Sequence, residues 1–306
     1  MFNLKEQMKR FLHFCEFNKK LNFKTTKAYS IDLKQYCISS SGFFNKESLV
    51  EYITILHQKY KPKTVKRKIA CLKAFSSYLI YEEIIQENPF AKIKTSFKEP
   101  LILPKTISLD IIQKMLACAY RGLESLHQTK YHKKEIVRDI AVLEILFATG
   151  ARVSEICTLK IYNVDLINRY IKIYGKGNRE RIIQIENPDV LQALNLYYQS
   201  FKNDIEDKGW FFINRLHNRL SEQSVRFMVN KYVEQIGYNG HITPHMFRHS
   251  FATYLLEEEV DIRYIQRLLG HSSITTTEIY THVSSVKQKE ILATRHPRNK
   301  IRVNTG

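Results

Sequence analysis

Glycine and proline are scarce in this chain, with 10 and 7 residues among 306. Turn-rich, all-β architectures lean on both, since glycine supplies positive φ and proline presets φ in tight turns. Their shortage argues against such a fold and favours helix. Cysteine is thin as well. Its five occurrences (Cys15, Cys37, Cys71, Cys118 and Cys157) are scattered, odd in number and without a CxxC pair. That argues against a disulfide framework and predicts reduced thiols, buried as small apolar residues, in a cytoplasmic protein. No apolar run follows the basic start, and no stretch approaches the roughly 20 apolar residues of a membrane span, so no membrane partner is expected. Acidic residues are in deficit, 30 Asp+Glu against 48 Lys+Arg, which leaves a formal net charge of +18.

What is present is positive charge and enough apolar material to enclose. Hydrophobic residues make up 44% of the chain, and a length of 306 suits two cores better than one. So large a cationic surplus repels itself in the folded state and is relieved by a polyanion, which points to nucleic acid. The surplus is densest at the start. Residues 1–100 hold 19 Lys+Arg against 9 Asp+Glu, and the remaining 206 hold 29 against 21.

No internal repeat or low-complexity segment interrupts the chain. Residues 1–92 read as a domain of several amphipathic helices. The clearest spans Pro62 to Tyr81, where Val65, Ile69, Leu72, Phe75 and Leu79 recur at steps of three and four and so share one face. Lys63, Lys66, Arg67 and Lys73 fall mainly off that stripe; they form either an ordinary solvated face or a surface for DNA phosphates. Asn88-Pro89 ends the unit. Residues 93–106, with Pro100 and Pro104 and no helical period, are expected to link it to a second domain, 107–306. There a helix restarts after Ser108 with Leu109, Ile111, Ile112, Met115 and Leu116. Arg121–Lys134 reads as a polar, exposed connection. A buried helix follows, with Ile136, Ile140, Leu143, Leu146 and Phe147 inward and Gly150 as its C-cap. Two β-branched runs, 170–174 and 181–185, flank a glycine-containing turn and predict a hairpin. From Ser221 onward helix is expected apart from short connections. The fold class is therefore mainly α with a small antiparallel β-sheet.

Several short segments carry chemistry. Thr243 suits an N-cap and Pro244 the first helical position, so a helix should open there with His245 and Arg248 on one face of its first turn. A helix N-terminus favours an anion, and an arginine fork matches phosphate oxygens. His245 and His249 also stand at helical metal-ligand spacing, but the zinc-protease signature needs Glu at position 246, where Met246 stands; no metal is expected. TGARVSE places Arg152 at the start of a helix with Glu155 three residues on, either to brace the guanidinium or to form a surface salt bridge. Lys176 lies between two glycines at the hairpin tip. Asp261 is expected to cap a short helix, Ile262–Leu269, that Gly270 closes just before His271. Tyr280 is one of 18 tyrosines and carries no signal by itself.

Taken together, TGARVSE, GKGNRER, HMFRHSFATYLLEEEVDIRYIQRLLGHSS and TTTEIYTHV occur in the order and approximate spacing of the tyrosine recombinases, the phage-integrase and Xer group. The resemblance covers nearly the whole chain. Lys63–Pro89 resembles the last part of their N-terminal, SAM-like core-binding domain, and Val286–Arg298 resembles their C-terminal helix and tail. The match implies a mixed α/β catalytic domain and a two-domain clamp around DNA. Carried over position by position, Arg152, Lys176, His245, Arg248 and His271 resemble the catalytic set, Tyr280 the nucleophile, and Glu155 the acidic support of the first arginine. Ala151 and Phe247 depart from the leucine common at those positions, and Arg121–Lys134 is longer than in compact members.

The resemblance implies a site-specific recombinase that works without metal, ATP or other cofactor. It cuts through a 3′-phosphotyrosyl intermediate and exchanges strands through a Holliday junction. The expected partners are double-stranded DNA with inverted-repeat core sites and a tetramer, of this chain alone or with a paralogue. The tail Ser285–Gly306, with Arg295, Arg298, Lys300 and Arg302, is a candidate for docking on a neighbouring protomer. Because the chain opens on what resembles the core-binding domain, no arm-binding module is expected. Integration, excision, inversion and dimer resolution all remain open. The alternatives are a type IB topoisomerase, which uses similar groups, and a catalytically silent DNA-binding member of the fold.

Overall fold

A computed structural model describes residues 3–97, 104–124, 129–175 and 180–270. The chain divides into two compact units, Met1–Leu101 and Ile102–Gly306, each with its own apolar core.

The first unit is helical, built from α1 (Leu4–His13), α2 (Phe23–Ser39), α3 (Lys46–Lys59) and α4 (Pro62–Tyr81), with a π-helical turn, Phe14–Asn18, extending α1. Asparagines open three of these helices. The side chains of Asn3, Asn22 and Asn45 accept from the backbone N–H of Glu6, Lys24 and Ser48 at 3.2, 2.8 and 2.9 Å, caps worth about 1 kcal/mol each. α4 starts at Pro62, and its predicted stripe Val65, Ile69, Leu72, Phe75 and Leu79 is buried. Aromatic rings fill the core: Phe11 meets Phe75 edge-on at 5.3 Å and Tyr36 meets Tyr52 at 5.1 Å. Asn88 Oδ1 accepts from Ser76 Oγ and the Phe90 N–H at 2.8 and 2.9 Å. Beyond it the chain stays on this unit, where Ile93 and Phe97 pack on the core and Phe97 meets the His57 ring at 4.8 Å. The aperiodic stretch beginning at residue 93 thus still finds apolar cover for Ile93 and Phe97.

The second unit comprises α5 (Leu109–Glu124), α6 (Lys130–Thr149), α7 (Val153–Cys157), β1 (Val164–Asp165), β2 (Tyr170–Tyr174), β3 (Glu180–Gln184), α8 (Pro188–Lys208), α9 (Glu222–Gln235), α10 (Pro244–Glu257) and α11 (Ile262–Leu269). It is mainly α with one small antiparallel sheet of order β1-β2-β3. Ile171 lies opposite Ile183 with both buried. The central helix is α6, which packs on α5, α8, α9 and α10. Ile136, Ile140, Leu143 and Leu146 are buried along it, with Phe147 partly so. It ends at Gly150, whose φ is +57° and where a Cβ would stand 2.5 Å from the Phe251 ring. Both the left-handed turn and the close approach require glycine there.

Three expectations need correction. Arg121–Lys134 is mostly helix, because α5 runs to Glu124 and α6 begins at Lys130 under Thr129, whose hydroxyl accepts from His132 N–H at 3.2 Å. Polar residues there mark a solvated helical face, and Arg, Leu, Glu and Lys are good helix formers. Neither α8 nor the two-residue β1 was expected. Yet α8 carries ordinary boundary signals: Asn187 accepts from the N–H groups of Asp189 and Val190, Pro188 opens the helix, and Gly209 closes it at φ +67°. Finally, Thr243 holds the N-cap position of α10 but makes no side-chain cap hydrogen bond, so Pro244 carries the boundary.

All five cysteines are unpaired; four are buried and Cys118 is partly so. Among the described residues no helix is long and apolar enough to cross a membrane. No group of three or more His, Cys, Asp or Glu side chains there is placed to hold a metal ion.

Candidate active site and nucleic-acid interface

The turn at Gly150 delivers Arg152 to the start of α7. Glu155 Oε2 accepts the Arg152 backbone N–H at 2.8 Å, and Oε1 accepts Arg152 Nη1 at 2.8 Å, so the expected brace is formed. Sequence reasoning missed the second arm. Arg181, on β3, reaches the same carboxylate with Nη2 and Nη1 at 2.7 and 3.2 Å, and donates from Nε to Leu268 O at 2.8 Å. Arg181 closes GKGNRER, where the sequence signals a hairpin strand but no partner for this arginine, and its partner lies 26 residues away. Burial alone would push the Glu155 carboxyl up, but hydrogen bonds and charge from Arg181, then hydrogen bonds from Arg152, hold it below the usual carboxylate range. The result is a buried anion between two guanidiniums, one largely covered and one, Arg152, reaching outward.

Arg248 rises from the first turn of α10 and is only 4% exposed. Its Nη1 donates to Gly150 O at 2.9 Å and its Nη2 to Leu269 O at 2.7 Å. Both acceptors lie at helix C-termini, those of α6 and α11, where unsatisfied carbonyls and the helix dipole favour a cation. That explains how a guanidinium is tolerated in the interior, and it locks the fork between two elements. Gly270 closes α11 at φ +65°, and a Cβ there would stand 2.9 Å from Arg181 Nη1. Arg181 thus fixes the end of α11 immediately before His271 in the chain.

His245 is exposed at the same helix start. Its pKa is held below the ordinary histidine value by desolvation, then by the charges of Arg248, Arg226 and Arg152, with Glu222 opposing. The neutral ring that results at neutral pH can accept a proton. His249 is pushed to about 4 by burial, then by His245 and Arg248. The structure therefore gathers Arg152, Glu155, His245 and Arg248, and adds Arg181. Lys176, His271, Tyr280 and the tail from Ser285 lie outside the described residues.

In the first unit, Lys63, Lys66, Arg67 and Lys73 are all exposed on α4. Arg67 and Lys73 are not simply solvated. Arg67 pairs with the buried Asp32, and Lys73 Nζ donates to Thr95 Oγ1 at 2.6 Å. Lys68, which sequence reasoning passed over within a charged run, is buried against Asp32 Oδ1 at 2.8 Å and also bonds Gln35.

Comparison with known proteins gives this geometry its context. The model of the phage integrase family matches residues 121–286. A tyrosine recombinase of Agathobacter rectalis is 51% identical over 302 residues, 97% of this chain and 98% of the relative. A tyrosine recombinase XerC of Thermodesulfovibrio yellowstonii is 35% identical over 310 residues, 98% of this chain and 99% of the relative. Two solved structures share the fold. XerH site-specific recombinase bound to a palindromic difH substrate gives a TM-score of 0.76 at 21% identity, over 94% of this chain and 84% of that one. A lambda integrase tetramer bound to a Holliday junction gives 0.67 at 16%, over 91% and 77%. Neither topoisomerase-like relaxation nor silent DNA binding is favoured by relatives that are named as recombinases. The chain belongs to the phage integrase family and is a tyrosine recombinase, an enzyme of site-specific DNA breakage and rejoining.

Proposed function

We propose that Tyr280 is the nucleophile and that Arg152, Lys176, His245, Arg248 and His271 serve it, with Glu155 positioning Arg152. A phenol has a reference pKa near 10 and is a reluctant nucleophile at neutral pH, and phosphodiester cleavage is intrinsically slow. Positive charge answers both difficulties. Arg152 and Arg248 hold the two non-bridging oxygens and stabilise the charge that grows in the pentacoordinate transition state. His245 accepts the phenolic proton as the tyrosine oxygen bonds to phosphorus. The P–O5′ bond breaks, and Lys176 protonates the departing oxygen while His271 donates to the phosphate. A 5′ hydroxyl from the partner duplex then attacks the 3′-phosphotyrosyl bond and frees the tyrosine, so bond energy is conserved and no cofactor is consumed.

One observation carries this reading: the buried Arg248 fork, locked on two helix C-termini, stands with the braced Arg152 around a neutral His245. The first unit acts as the core-binding domain, with Lys63, Lys66, Arg67 and Lys73 on DNA phosphates. Exchange proceeds through a Holliday junction on inverted-repeat core sites held by four protomers, each tail from Ser285 docking on a neighbour. The enzyme works in the cytoplasm. Solved complexes of XerH with difH and of a lambda integrase tetramer with a Holliday junction support this part by analogy of fold.

The test is covalent trapping on sheared DNA from the source cell, without magnesium, comparing wild type with Tyr280→Phe. Wild type alone should yield adducts, linked at 3′ phosphate and mapping to paired inverted repeats. DNA binding without any adduct from wild type, even on nicked substrates that trap cleavage, overturns the assignment.

A further inference from the structure

Trp210 is the chain's one tryptophan, and two cations converge on it. Lys160 Nζ stands 3.2 Å from the ring centroid and the Arg219 guanidinium carbon 5.3 Å from it. Backbone pairing fixes all three. Lys160 and Trp210 face each other in an antiparallel bridge, flanked by Phe211 N–H to Leu159 O at 2.8 Å and Ile161 N–H to Gly209 O at 3.2 Å. Arg219 is held by a second bridge to Ile213, next to Leu220 N–H to Phe212 O at 2.9 Å. The two charges therefore lie closer together than a Debye length of about 10 Å at 0.1 M salt. Neither has a carboxylate partner among the described residues. Arg226 differs, since it is paired with Glu222 at 3.2 Å. Cation–π contact orients the pair but leaves both charges in place. Two like charges held on one ring repel, and an anion between them removes the repulsion.

Their place in the fold says which anion. Lys160 follows α7, the helix that Arg152 opens, and α9, which begins just after Arg219, packs on α7. The charges of Arg219 and Arg226 both reach the buried thiol of Cys157 at the end of α7, and those of Arg226 and Arg152 reach His245, so the pair lies on the side of α7 that also serves the site. We infer that Lys160 and Arg219, positioned by Trp210, form a phosphate clamp that grips the backbone of the bound duplex beside the reacting phosphate. The clamp rests on the reading above that this unit engages duplex DNA.

The indole reports on its own neighbours. Trp210 emission is followed while wild type is titrated with a short duplex of arbitrary sequence, and affinity is measured between about 50 and 200 mM salt. The same is done for Lys160→Met/Arg219→Met, which keeps the aliphatic stems, with circular dichroism as the control of folding. Wild-type emission should change on binding. The double variant should lose affinity, and its slope of log affinity against log salt should shallow by about 0.9 per lost phosphate contact, about 1.8 for both. Wild-type emission unmoved at saturating DNA, or equal slopes for the two folded proteins, overturns the clamp while leaving the enzyme's DNA binding intact. Wild type that fails to bind duplex at all overturns both.

Discussion

Two clusters, one in each unit, hold a buried carboxylate between two cations: Asp32 between Lys68 and Arg67 in the first and Glu155 between Arg181 and Arg152 in the second. In each, one cation is interior and the other reaches solvent. Side-chain exposures are 3% for Lys68 and 46% for Arg67, against 9% for Arg181 and 35% for Arg152. The anion neutralises the inner cation, and the outer one is held at the surface in a fixed pose. The difference lies in what is tied together. Asp32 binds successive residues of one helix, so it joins α2 to α4. Glu155 takes four donors from two segments, and Arg181 continues to Leu268, so it joins α7, β3 and α11. The roles proposed above fit this difference: a grip on DNA tolerates a simple hinge of charge, whereas a reacting site needs its cation fixed from several directions.

Breaking the second cluster should therefore do the most damage. Glu155→Ala leaves the largely covered Arg181 without its anion and should cost roughly 3 kcal/mol in chemical denaturation. It should also depress covalent adduct formation beyond the loss of folded protein, because Arg152 loses its brace. Adduct formation that merely tracks the folded fraction would show that Glu155 supports the fold alone.

Asp32→Ala comes next, at about 3 kcal/mol, since it strands Lys68 in the interior. Asp32→Ala/Lys68→Met should recover most of that loss, because apolar replacement of both members of a buried pair is tolerated where removal of one is not. Per folded molecule, cleavage should stay near wild type in both variants. A double variant no more stable than the single one would mean that Gln35 and Tyr60, which also contact Lys68, and not the buried charge, set the cost.

These two clusters also mark where sequence reading stops. Arg152 and Glu155 lie three apart on one short helix, so their contact follows from helical spacing. Asp32 and Arg67 lie 35 apart, and Arg181 reaches back 26 residues to Glu155; no local period announces either. Lys68 had a weak signal, since position 68 adjoins Ile69 between Val65 and Leu72 on the buried stripe, but a run of three cations reads as solvated. Elements behaved in the same way. The periodic α4 and α6 and the β-branched hairpin were legible. By contrast, α8 went unassigned despite its Asn187, Pro188 and Gly209 boundaries, and polarity hid the ends of α5 and α6 within Arg121–Lys134. Local pattern finds amphipathic elements, while the long-range ion pairs that aim the cations exist only after folding.

A buried carboxylate without a cation among the described residues, Glu144, sharpens the contrast, with the smallest effect and the opposite sign. Glu144 has no cationic partner among the described residues; Tyr120 O–H donates to it at 2.9 Å, and it lines a groove with Leu116, Phe147 and Asp189. Burial raises its pKa above the carboxylate range, the Tyr120 hydrogen bond opposes, and Asp189 raises it further. Because the folded state then holds the proton more tightly than the unfolded chain, Glu144 favours folding fully below the unfolded carboxylate pKa. That contribution is lost as pH rises through the folded value. Glu144→Gln keeps an acceptor for Tyr120 and removes the charge, so it should stabilise the protein at neutral pH by on the order of 1 kcal/mol. The gain should fade as pH falls into the carboxylate range. Glu155→Gln should behave in reverse: its pKa is lowered on folding, so the substitution should cost most at neutral pH and least in acid. Denaturation midpoints of the two variants across pH would decide it. Glu144→Gln running parallel to wild type at every pH, or losing stability above neutrality, would show that Glu144 carries its charge in the folded protein at no expense, and that a hydroxyl serves there as well as a guanidinium.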